Sequence, residues 1–222
     1  MQKKSTNSQA VIKQKLLKSH PEIEECEKSI CAAFQAISTA LENDCTLFLC
    51  GNGGSAADAE HIAGELLKGF TLRRPLDAAR CAAIATAAPD LETSRYITNH
   101  LQQGLRAVSL TGHPSLSTAM ANDVAADLVF AQQLNALGRK GDVLLAISTS
   151  GNSRNIMLCS TVARALGIYV VGLTGRDGGA LRSLSDTLIS VPADETAKVQ
   201  ELHMPVYHAL CEMLETAFFT SS

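Results

Sequence analysis

Apolar residues at Ile23, Cys26, Ile30, Phe34, Ile37 and Leu41 recur every three to four positions, the spacing of a helix with one buried face. Ser19 offers a cap for it, and Pro21 suits its first turn. Upstream, Val11, Ile12, Leu16 and Leu17 mark a shorter helix, so residues 1–44 read as a helical hairpin. Two destinations stay open for its apolar stripes: a partner subunit, or the sheet that follows.

From Thr46 the pattern changes to short apolar runs, each followed by a small-residue turn and then a helical stretch. This alternation predicts a parallel sheet covered on both faces. The predicted strands are Thr46–Cys50, Ala107–Leu110, Val143–Ile147, Tyr169–Leu173 and Leu188–Val191. Helices are expected near Ala56–Lys68, Asn155–Leu166 and Ala197–Phe219. The predicted class for residues 45–222 is α/β, a three-layer sandwich with a five-stranded parallel sheet of flavodoxin-like or Rossmann-like type. The stretch from Leu72 to Gly104 breaks the scheme: it is Ala-rich and charged, helical in part, and without a clear strand. It reads as an insertion at about 72–104, placed directly after the first helix of the sheet, where it has the opportunity to shape a pocket mouth.

The 222 residues suffice for one full hydrophobic core. A formal net charge of −3 gives no basic footprint for nucleic acid or an acidic membrane, so any phosphate must be held by local groups. The seven cysteines are scattered and form no CxxC pair, which points to reduced, buried thiols. No signal-peptide core and no run long enough to span a bilayer is found, and a cytoplasmic location is expected.

Two loops stand where an open α/β sheet binds ligands, at the carboxyl ends of strands. The first is Gly51-Asn52-Gly53-Gly54-Ser55, and the second runs from Ser148 to Ser153. The second sets the hydroxyls of Ser148, Thr149, Ser150 and Ser153 beside the start of a helix, whose N–H groups and dipole favour an anion. A simple capped turn needs one hydroxyl rather than four. Gly51, Gly53 and Ala56 also fit a dinucleotide fingerprint, but the second strand such a site requires is replaced by Thr71-Leu72-Arg73-Arg74-Pro75.

On the helix after the first loop, His61 and Glu65 are four apart and share a face. The pair suits two metal ligands, or a base with its neighbour. On the last helix, Gln200 and His208 are eight apart, a little over two turns, and lie roughly on one side, with His203 between them.

With these residues in view, the sequence resembles the SIS (sugar isomerase) family and its isomerase subgroup. The matching stretches are CGNGGSAADAEHIAGEL from Cys50, AND from Ala121, GDVLLAISTSGNS from Gly141, VVGLTGRDGG from Val170 and VQELHMPVYH from Val199. The resemblance implies that Ser148, Thr149, Ser150 and Ser153 hold a phosphate, that Asn52, Gly53 and Ser55 touch the sugar, and that Asn122 and Asp123 add a further substrate contact. It implies zinc on His61, Glu65, Gln200 and His208, with Gln200 also near the substrate, and Glu65 and His208 as the acid/base pair. It further implies a homotetramer and an aldose–ketose reaction, sedoheptulose 7-phosphate to a manno-heptose 7-phosphate, for bacterial surface polysaccharide. Two relatives from other classes remain open: a non-catalytic SIS protein that senses sugar phosphates or associates with the replication initiator, and an isomerase of another phosphosugar. The chain departs from the isomerase pattern in the 72–104 stretch, and in Ala197, where an acidic residue is common.

Overall fold

The structure, a computed structural model, describes residues 2–219, with side chains described from residue 8 onward. Helix α1 spans Gln2–Ser19 and α2 spans Glu27–Glu42, joined by a tight 3-10 turn at Pro21–Cys26. The expected single helix from Ser19 onward is therefore a turn and a helix. Ser19 closes α1 instead of capping its successor, and Pro21, lacking an N–H, opens the turn. Ile12 and Leu16 of α1 and Ile30, Ala33, Phe34 and Ile37 of α2 are buried in the chain's own core.

The elements that follow are β1 (Leu47–Cys50), α3 (Gly54–Leu67), α4 (Ala78–Ala87), α5 (Leu91–His100), β2 (Ala107–Ser109), α6 (Pro114–Asp123) and α7 (Val129–Leu137). After them come β3 (Val143–Ile147), α8 (Arg154–Ala165), β4 (Tyr169–Thr174), α9 (Leu181–Leu184), β5 (Thr187–Ser190) and α10 (Thr196–Phe219). The sheet has five strands in the order β2-β1-β3-β4-β5, and every pairing is parallel. This is the flavodoxin-like order. Its strands match the five predicted from sequence to within one residue at each end.

Alternation along the strands divides the core in two. Leu47, Leu49, Val143, Leu145, Val171 and Leu173 face α1, α2, α3 and α10, whereas Phe48, Cys50, Leu144, Ala146 and Val170 face α6, α7 and α8. Period-two side chains on a sheet covered on both sides require apolar residues at every position, hence the continuous apolar runs.

Two features depart from the sequence reading. Residues 111–142, unassigned there, hold α6 and α7. The 72–104 stretch is a pair of short helices, α4 and α5, capped by Asp77 and Asp90, whose carboxylates accept from the N–H of Arg80 and Thr93 at 2.7 Å each. Their only buried residue is Ser94. The hairpin is closed at its neck: Gln103 donates its N–H to Arg74 O at 2.8 Å, and Gln102 Oε1 accepts from Gly69 N at 2.9 Å. All seven cysteines are free, four of them buried.

Candidate active site

In this strand order β1 is followed by a connection to one side and β3 by a connection to the other, so the loops after them part at the switch point. Asn52 and Asn155 bridge the gap with a reciprocal amide pair, each Nδ2 donating to the other's Oδ1 at 2.8 Å. Gly53 is the N-cap of α3, at φ +55°, and Ser55 is buried with its N–H on Asn52 O at 3.0 Å.

The second loop is held as a compact turn. Ser148 donates its hydroxyl to Ser153 Oγ at 3.1 Å, and Ser150 Oγ accepts from Asn152 N at 3.2 Å. Ser153 is the N-cap of α8, yet its side chain makes no capping bond. Thr149 O accepts from Gly175 N at 2.9 Å, and Asn152 Oδ1 accepts from Ala180 N at 2.9 Å, which fastens the loop to the one after β4. Gly151 has φ +67°, and a Cβ there would run into the Gly178 carbonyl, so only glycine fits. Asn122 and Asp123 end α6 and bond to each other, Asn122 Nδ2 donating to Asp123 Oδ1 at 2.7 Å. Among the described residues their side chains make no hydrogen bond to either loop.

The imidazole and carboxylate residues lie elsewhere, where α3 and α10 pack side by side. His61 Nε2 is 3.3 Å from Glu65 Oε1. The ring of His208 meets that of His61 edge-on, with centroids 5.1 Å apart, and packs on Phe70 at 5.5 Å. Gln200 does not join this group: its amide rests against Gly54 at the head of α3, in the space a side chain would fill. Lys68 Nζ stands 3.5 Å from Glu65 Oε2. Burial, and then the neighbouring His61, push the pKa of His208 down, against an opposing pull from Glu65.

Side chains absent from the sequence reading complete the cluster. The Tyr207 hydroxyl donates to Asp58 Oδ1 at 3.2 Å and lies 3.2 Å from His61 Nδ1. Asp58 stands one turn before His61 on α3, so i, i+3 spacing was the available signal. Arg74 and Glu215 form a fully buried pair at 2.8 Å that ties the end of α3 to α10.

His61, Glu65 and His208, with Gln200 as a fourth donor, suit zinc in kind. His208 Nε2 is buried and has no hydrogen-bond partner, as a ligand atom would, and Glu65 Oε2, also without a hydrogen bond, faces the Lys68 ammonium at 3.5 Å. As the side chains stand, no three His, Cys, Asp or Glu residues among those described converge on one point, so closing a site needs side-chain rotation.

A parallel α/β domain with a Ser/Thr-rich turn at its switch point and a carboxylate–imidazole cluster on two adjacent helices fits the class that binds small phosphorylated ligands. The model of the SIS domain matches residues 14–107 and 98–175, and the chain belongs to that family. It is similar to the phosphoheptose isomerase of Helicobacter pylori (strain P12), 38% identical over 196 residues that cover 88% of each chain. The phosphoheptose isomerase of Halorhodospira halophila is 40% identical over 193 residues, covering 86% of this chain and 83% of the relative. Among solved structures, phosphoheptose isomerase GmhA of Neisseria gonorrhoeae superposes with a TM-score of 0.67 at 35% identity, over 90% of this chain and 94% of that one.

Proposed function

We propose that the protein is an aldose–ketose isomerase that converts sedoheptulose 7-phosphate to a manno-heptose 7-phosphate. The observation that carries this reading is the meeting of Glu65 and His208 around His61 on adjacent helices, with His208 Nε2 buried and without a hydrogen-bond partner. Relatives named for this activity align over 88% and 86% of the chain.

The chemistry follows from the groups present. Ser148, Thr149, Ser150 and Ser153, with the N-terminus of α8, hold the phosphate. One of Glu65 and His208 takes the C1 proton of the ketose, leaving an enediolate across C1 and C2. The other returns a proton to C2, and the O1 proton passes to O2. The lowered pKa of His208 keeps its imidazole neutral near pH 7, able to accept a proton. Zinc on His61, Glu65, His208 and a rotated Gln200 would supply a Lewis acid for the enediolate oxygens.

The packing of α4 supports assembly as a homotetramer. Its ten residues, AARCAAIATA, bury nothing in one chain, and Leu91, Tyr96 and Leu101 beside it are exposed. Among the described residues no helix is long and apolar enough to cross a membrane. A cytoplasmic enzyme making heptose for bacterial surface polysaccharide fits these features.

Glu65→Gln tests the proton-transfer role: the variant is expected to keep its circular dichroism and melting behaviour and to lose isomerisation. Undiminished turnover in a coupled assay would sink the assignment. Stoichiometric zinc by metal analysis of the purified protein is expected, and a panel of ketose phosphates separates the heptose from shorter sugars.

A further inference from the structure

Tyr207 is buried, and its hydroxyl has a single proton to give. That proton goes to Asp58 Oδ1, 3.2 Å away. The hydroxyl oxygen also lies 3.2 Å from His61 Nδ1. With the tyrosine proton committed to Asp58, the hydrogen between Tyr207 and His61 has to come from the imidazole. Neutral His61 is then the Nδ1–H tautomer, and its Nε2 carries a lone pair.

The consequence appears on the other side of the ring. Nε2 lies 3.3 Å from Glu65 Oε1. An ionised carboxylate has only acceptors to offer, so with His61 neutral two electron-rich atoms face each other with no hydrogen between them. A cation resolves that contact.

We infer that Tyr207, held by Asp58, is a positioning residue that fixes His61 in the Nδ1–H tautomer and presents Nε2 for metal binding. The inference rests on the reading of His61 as a zinc ligand. It assigns to Tyr207 and Asp58 the role that a carboxylate or carbonyl plays behind many metal-bound histidines, here relayed through a phenol. The edge-on packing of Tyr207 against His61 and His208, with centroids 5.5 and 4.9 Å away, holds the phenol in place without depending on its hydroxyl.

Tyr207→Phe removes the hydroxyl and keeps the ring. Titrated with zinc against a chromophoric chelator, the variant is expected to bind roughly 10- to 100-fold more weakly than the parent. At saturating zinc, kcat for sedoheptulose 7-phosphate should fall with KM unchanged, and Asp58→Ala should behave alike. A readout independent of metal and substrate is the imidazole 15N spectrum of the zinc-free protein. There the parent should show His61 protonated at Nδ1, and Tyr207→Phe should show a shift toward Nε2–H. Nε2–H as the parent's tautomer overturns the inference, as does equal zinc affinity in parent and variant, including none in either. Failure of the isomerase reading is seen separately, as absent turnover by the parent protein.

Discussion

Glu215 shows what the core depends on. It is fully buried and accepts from Phe70 N at 2.8 Å, Thr71 N at 2.7 Å, Thr71 Oγ1 at 2.5 Å, Leu72 N at 3.0 Å and Arg74 Nε at 2.8 Å. Arg74 in turn donates to the carbonyls of Leu66 at 2.8 Å and Glu65 at 3.1 Å, near the end of α3. Glu215→Gln preserves volume but removes the charge, and its new NH₂ faces groups that are themselves donors. Removing one member of a buried pair strands the other, which costs about 3–5 kcal/mol. Against a total of about 5–15 kcal/mol for a folded protein, that is a large fraction. Urea unfolding at pH 7 should show the midpoint falling with an unchanged slope. Exchanging both partners for methionine usually restores a buried pair, but here three backbone N–H groups of the 70–72 loop lose their acceptor. At roughly 1 kcal/mol or more each, the double variant should stay about 3 kcal/mol below the parent. A Glu215→Gln loss under about 1 kcal/mol, or a double variant as stable as the parent, would refute the reasoning.

Further expectations follow from single contacts. In Gly54→Ala the added methyl meets the Gln200 amide, so turnover should fall at least about tenfold while the melting temperature holds or rises, Ala being the better helix former; unchanged kinetics would remove Gln200 from the site. Asn155→Ala breaks the reciprocal bond to Asn52 and should raise KM for the sugar phosphate several-fold with little change in kcat, as measured by initial rates. His203 is fully buried, and burial pushes its pKa down to about 4 from the ordinary 6.5. Below pH 6.5 the unfolded chain binds the proton that the folded one refuses, so stability falls with pH until about 4, by about 2 kcal/mol between pH 7 and 5. In His203→Leu that decline should be absent from urea titrations over the same range. For Glu215, burial raises the carboxyl pKa, but the Thr71 hydroxyl, the loop N–H groups and Arg74 outweigh it and hold it below the ordinary 4.5. Its stabilisation is therefore present above that pH and lost as acid is added below it.

The sheet was legible because its three inner strands bury both faces and are written as nearly unbroken apolar runs. Helices that bury little left no such trace. Helix α4 buries no residue and α6 only Met120, so neither has a stripe to read. In α7 the buried positions Val129, Phe130 and Ala131 are consecutive rather than spaced by turns, and Gln133 is buried through its bond to Leu110 O at 2.8 Å. The side-chain caps Asp77 and Asp90 were the readable marks of the inserted hairpin. Spacing alone placed His61 beside Glu65, because four residues on one helix fix the geometry. The Arg74–Glu215 pair spans 141 residues, which no local pattern can connect. Its only sign was that Glu215 falls one turn from Cys211, Phe218 and Phe219, on an apolar helix face where a charge needs a partner.

The register of two helices joins that pair to the site. The interval of 146 residues that separates His61 from Tyr207 also separates Gly54 from Gln200. Helices α3 and α10 therefore run parallel, in step over at least two turns. Slipping one along the other by a single turn, about 5.4 Å, would take Gln200 off Gly54, Tyr207 off His61 and His208 off His61 together. Beyond the last of these contacts the step is locked by Glu215 on α10, which grips the loop leaving α3, and by Arg74, which bonds the carbonyl of Glu65 itself. The clasp thus sets the approach of Glu65 to His208, and Glu215→Gln should lower kcat even under conditions where the variant remains folded.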